Sequence, residues 1–159
     1  MVKTDTPHGT QAVILMNDAA LSLAPELVAP GATVQVIVAG PSMLRLALAE
    51  AALPEARVIC ADFGQSASLA ALEEKVRGMG RLHRLVLAAD GADAAEIFSV
   101  MRTIVVFLPA LRRGEGSVLL TVRPGAALAA LRLFLRRVQP TLDGHGVPVT
   151  LVEKPAVTT

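Results

Sequence analysis

Three charged residues stand just beyond short apolar runs: Asp62 after Arg57–Cys60, Asp90 after Leu82–Ala88 and Arg123 after Ser117–Val122. If those runs are strands, the three groups gather at one edge of a sheet, where a carboxylate and a guanidinium either hold a polar small molecule or pair and close the edge. No nucleophile–base pair accompanies them, so the ion pair is the expectation and no catalytic residue is assigned. Ser42 and Ser66 open helix-like segments and read as helix starts rather than nucleophiles. His8, His83 and His145 are scattered without ligand spacing, so no metal site is expected. The single Cys60 excludes an intramolecular disulfide, and its neighbours Val58 and Ile59 predict a buried structural thiol.

Those residues need elements to position them, and the apolar pattern supplies candidates. Gln11–Met16, Thr33–Val38, Arg57–Cys60, Leu82–Ala88, Ser117–Val122 and Val147–Val152 have strand length and β-branched content. Between them lie helical segments at Ala20–Ala29, Met43–Ala52, Ser66–Met79, Ala92–Arg113 and Gly125–Val138. Asn17 and Asp18 read as a turn and helix cap, and Ser66 or Ser68 as the cap of the third helix. Strands that alternate with helices and are mostly apolar throughout predict an α/β fold, a doubly wound parallel β-sheet of about six strands with helices on both faces.

Composition sets the outer limits. Of 159 residues, 53% are hydrophobic and 18% charged, which fits one packed domain, expected over residues 10–155, with residues 1–9 and 156–159 as flexible termini. The longest apolar runs fall well short of the ~20 residues that span a bilayer, and the N-terminus lacks a signal-peptide core; a cytoplasmic protein with no membrane partner is the expectation. Residues 1–100 carry seven Lys/Arg against eleven Asp/Glu, and residues 101–159 carry eight against three. The arginines are spread over several elements and read as solvated helix faces. With a net charge of +1, no Trp and no Tyr, a nucleic-acid partner is not expected.

In order along the chain, GATVQVIVAG, the run Val58-Ile59-Cys60-Ala61-Asp62, GSVLLTV, GAALAALRLFLRRV and GHGVPVTLVEKP resemble the short-chain dehydrogenases/reductases, over roughly Gln11 to Pro155. The resemblance implies a Rossmann-like domain, Asp62 beside an adenine ring and Gly91 beside a cofactor. Its departures are equally specific. The family's glycine-rich loop would fall on Met16–Leu21, which has no glycine and carries Asp18 where phosphates would sit. The family's Tyr-x-x-x-Lys falls on Thr121 and Gly125, and the strand end that would carry its Ser reads Val122-Arg123. The sequence ends after its sixth strand, so a substrate pocket of the family's usual kind is not expected to be completed.

The helices Ala92–Arg113 and Gly125–Val138 match the pair with which the resembled family associates. Ile104, Val105, Phe107, Leu108, Leu128, Leu131 and Phe134 are therefore the expected interface, in a homodimer or a heteromer with a related dehydrogenase. The leading expectation is a non-catalytic protein that acts by association, without a cofactor; enzymatic activity is left open. The alternative is a residual NAD(P)- or small-ligand-binding protein, or an oxidoreductase of that family's type.

Overall fold

The computed structural model describes residues 12–23, 34–89, 94–123 and 125–153. They form one sheet of six strands, β1 (Ala12–Asn17), β2 (Val34–Gly40), β3 (Arg57–Cys60), β4 (Arg81–Ala89), β5 (Ser117–Val122) and β6 (Val149–Glu153). All pairings are parallel, in the order β3-β2-β1-β4-β5-β6. A 3₁₀ helix, Asp18–Leu23, follows β1 directly. The α-helices are α1 (Met43–Ala52), α2 (Ser66–Met79), α3 (Ala94–Arg113) and α4 (Ala126–His145). The chain winds outward from β1 to β3, crosses back to β4 and winds outward again, as the sequence predicts.

Both faces of the central strands are covered. On one face Val13, Leu15, Ile37, Leu85, Leu87, Val118 and Leu120 pack with Leu69, Leu72 and Val76 of α2, Ile104, Phe107 and Leu111 of α3, and Leu128 and Leu131 of α4. On the other, Ile14, Met16, Val36, Val38, Val86 and Ala88 pack with Ala20 of the 3₁₀ helix and Leu46 and Ala49 of α1. A register shift between Val13 and Ile14 against β4 skips His83, so Leu82 and Leu85 reach the same face despite their odd spacing. The turn from α3 into β5 lies on Leu82: a Cβ on Gly116 would stand 2.3 Å from the Leu82 carbonyl oxygen, so only glycine fits.

Some boundaries differ from the sequence reading. α4 continues to His145 rather than ending at Val138, because Pro140 sits on the exposed side and the helix runs on to the bonds from Gly146. The segment after β1 is a 3₁₀ helix from Asp18, not an α-helix from Ala20; residues 24–33 lie outside the described ones. Cys60 is exposed, not buried, because β3 is a four-residue edge strand with no neighbour on its outer side among the described residues. Ser42 does cap α1, accepting from the Arg45 N–H at 3.3 Å. Ser66 and Ser68 do not cap α2: the N-cap is Gln65, and Ser68 Oγ instead accepts from Asp62 N–H at 2.8 Å.

Asn17 is neither a turn nor a cap residue. It ends β1, and its side chain extends the β1–β4 ladder by one step: Nδ2 donates to Ala88 C=O at 2.9 Å and Oδ1 accepts from Ala88 N–H at 3.1 Å. Asn17→Ala leaves both Ala88 groups without that partner at a largely buried position, and a loss of about 1–3 kcal/mol in urea unfolding is expected. Phe107, fully buried under the sheet, sets the scale for the core: Phe107→Ala is expected to cost about 3–5 kcal/mol in the same measurement.

Candidate functional site

The strand order reverses between β1 and β4, and a cleft opens at the carboxyl ends of the strands beside that point, where ligands enter sheets of this kind. Its volume is about 350 Å³, and its lining comes from the end of β1 and the start of the 3₁₀ helix, the loops after β2 and β3, Leu87 of β4, and the first three turns of α3. Pro41, Phe63, Leu87 and Val100 form apolar walls; Asp18, Asp62 and Glu96 bring carboxylates. Ser99 and Thr103 line its α3 side, and each donates its hydroxyl back to the helix, to Ala95 C=O at 3.0 Å and Ser99 C=O at 2.6 Å.

Two of the carboxylates are fixed by short-range contacts. Asp62 Oδ1 accepts from Gly64 N–H at 2.8 Å, closing the turn after β3, and this is the only hydrogen bond to its carboxylate among the described residues. Arg102 of α3 reaches over to the same turn and donates to Gly64 C=O at 3.2 Å. Asp18 lies against the end of β2, so close that a Cβ on Gly40 would stand 2.7 Å from its Oδ2. Its charge is partly offset by Arg45 of α1, at 3.9 Å, whose side chain is mostly exposed. Neither Arg45 nor Arg102 lines the cleft, so the wall that a ligand meets is acidic.

That arrangement decides against one ligand group. A dinucleotide's pyrophosphate needs a glycine loop that lets backbone N–H groups approach it at a helix N-terminus. Here β1 passes without a loop into a 3₁₀ helix, and the carboxylate of Asp18 occupies the corner between β1 and β2. The residues present do not fit a pyrophosphate.

Of the residues singled out in the sequence, the structure brings Asp62 to the cleft and leaves Arg123 away from it. β3 and β5 are four strand positions apart, about 19 Å, so Asp62 and Arg123 do not pair. Asp90 and Gly91 lie outside the described residues. Thr121, the last residue but one of β5, is buried between Ala88 and Val152 and cannot serve as an exposed acid or base. The cleft also gathers Phe63, Ser99 and Thr103, which the sequence reading passed over. Their only sequence signal is that the segment after β3 and the start of α3 must meet at one sheet edge.

The expected interface divides in two. Ile104, Phe107, Leu128 and Leu131 are buried in the core of this chain and are not available to a partner, because α3 and α4 turn those positions toward the sheet. Leu108 and Phe134 are half-buried, and Val105 is 58% exposed. Phe98, 67% exposed, and Leu133, 50% exposed, are apolar residues of the outward helix faces that the sequence reading did not single out. No helix among the described residues is long and apolar enough to cross a membrane, and no group of His, Cys, Asp or Glu among them could hold a metal ion.

No protein-family model matches the sequence, and no curated protein is significantly similar to it. Solved structures are similar in fold. A short-chain dehydrogenase from Streptomyces avermitilis superposes with a TM-score of 0.71 at 22% identity, over 94% of this chain and 67% of that one. A metagenomic short-chain oxidoreductase in complex with NADP gives 0.67 at 21%, over 91% and 82%. The apo structure of a short-chain oxidoreductase with an atypical catalytic center, from Pseudomonas aeruginosa PAO1, gives 0.71 at 21%, over 89% and 69%. Six parallel strands in the order β3-β2-β1-β4-β5-β6, helices on both faces and these superpositions together give the chain the Rossmann-like fold of the short-chain dehydrogenases/reductases.

Proposed function

We propose that this chain is a small-ligand-binding protein of the short-chain dehydrogenase fold, with its ligand in the cleft between the ends of β1 and β3 and the start of α3. The observation that carries this reading is the pairing of apolar walls, Phe63, Leu87 and Val100, with the carboxylates of Asp18, Asp62 and Glu96 in one cleft of ligand size. Such a cleft favours a flat body bearing hydroxyl or amino donors, of nucleoside size and without phosphate. Asp62 receives one such donor on the oxygen not used by Gly64. An anionic ligand pays for approaching three carboxylates at short range.

Activity is a separate question from binding. The sequence contains no tyrosine, so the tyrosine-based proton transfer of the resembled family is not open to it. A related fold with an atypical catalytic center keeps the oxidoreductase alternative in view. Calorimetric titration with adenosine, NADH and NADPH separates these readings. Adenosine is expected to give saturable heat, neither dinucleotide should bind more tightly, and Asp62→Ala should weaken adenosine by roughly tenfold. Absence of heat and thermal shift with all three at millimolar concentration would sink the proposal. NADPH binding tightest, with NADPH fluorescence lost on adding a carbonyl substrate, would instead establish the oxidoreductase alternative.

A second reading, association through the outer faces of α3 and α4 with a copy of this chain or with a related dehydrogenase, is favoured by the exposure of Phe98, Val105 and Leu133. A combined Phe98→Glu and Val105→Glu chain is expected to keep its helical signal while losing that association in light scattering. An unchanged mass distribution would remove this reading.

A further inference from the structure

The most exposed apolar surface of the described chain is not on α3 or α4. It is on α1, where Met43, Leu44 and Leu48 are 68%, 72% and 59% exposed. Of this ten-residue helix only Leu46 and Ala49 are buried against the sheet, three residues apart and on one side. Leu44, Ala47, Leu48 and Ala51 share the opposite side at the i, i+3, i+4, i+7 spacing of an apolar stripe, although that side carries no sheet contact.

We propose that this stripe is an interface with a second copy of the chain, in which two α1 helices pack antiparallel about a two-fold axis. The stripe is self-complementary under that symmetry. With the axis between Ala47 and Leu48, the bulky Leu44 of each copy meets the small Ala51 of the other, and Ala47 of each copy meets Leu48 of the other beside the axis. Alanines at Ala47 and Ala51 leave room for the leucines to enter, which sets large against small along the whole contact.

Charge points to the same occupant. α1 has no acidic residue in its first turn and no basic residue in its last. It carries Arg45 near its N-terminus and Glu50 toward its C-terminus, each opposed to the helix's own macrodipole. An antiparallel neighbour reverses that relation: Arg45 flanks the carbonyl end of the second α1, and Glu50 flanks its amide end. Arg45 is available for this, since its only ion pair among the described residues is the 3.9 Å contact with Asp18 and its side chain is 61% exposed.

Light scattering on the full chain at tens of micromolar tests the proposal. The wild type is expected to have the mass of a dimer, or of a tetramer where α3 and α4 also associate, and Leu48→Glu is expected to halve it. The substituted side chain is exposed in the monomer, so an unchanged circular dichroism spectrum and melting temperature will show that the fold is kept. The axis is tested in a Cys60→Ser background: Leu48→Cys, next to the axis, should form an intermolecular disulfide on mild oxidation, and Glu50→Cys, turned to the flank, should not. Equal mass for wild type and Leu48→Glu overturns the interface. Equal crosslinking at both positions overturns the antiparallel register.

Discussion

A parallel strand hydrogen-bonded on both edges has no side left for water, and β1 meets that condition in full. β2 and β4 take its two edges, while Val13 and Leu15 on one face and Ile14 and Met16 on the other are all buried. Every other element answers to this arrangement. The helices must lie on both faces, the strands beside β1 must be apolar where those helices cover them, and the connections must run the length of the sheet. Where β1 ends, its last residue still has two neighbours to satisfy, and Asn17 does so toward β4 with a side-chain amide that imitates a backbone unit. No glycine loop follows β1: the chain goes straight into its 3₁₀ helix with no spare residues to wrap around a ligand.

What the sequence made legible was whatever depends on local pattern. The central strands read as apolar runs and the edge strands as short β-branched ones, so all six were visible, and the dense periodicity of α3 placed it almost to the residue. What it hid depends on neighbours far along the chain. Cys60 looked buried because Val58 and Ile59 are apolar, yet β3 is the sheet's last described strand on that side and its end is open. Ile104, Phe107, Leu128 and Leu131 looked like an interface because periodicity records which residues avoid water, not whether the sheet or another molecule covers them. The clamp at Asn17 joins residues 71 apart and has no local signature at all.

The candidate site was legible in outline for the same reason. The carboxyl edge of the sheet and Asp62 on it followed from strand order, which the alternating pattern dictates. The acidic character of the cleft did not, since Asp18 and Glu96 come from segments nearly 80 residues apart and line one cleft only because the sheet brings both beside the reversal of strand order. The resemblance to a cofactor-binding family and the chemistry of this edge thus point in different directions, and the side chains at the edge take precedence over the likeness of the fold.

The long reach between β1 and β4 also has a meaning in time. A chain emerging from the ribosome presents β1, β2 and β3 first, and these can pair in the order β3-β2-β1 as soon as they are free. Until Arg81–Ala89 has emerged, the most apolar strand of the protein is an edge strand, with an unpaired row of backbone groups and an incompletely covered face. The centre of the finished sheet is therefore the exposed margin of the nascent one, and the emergence of residues 81–89 is the step that closes it.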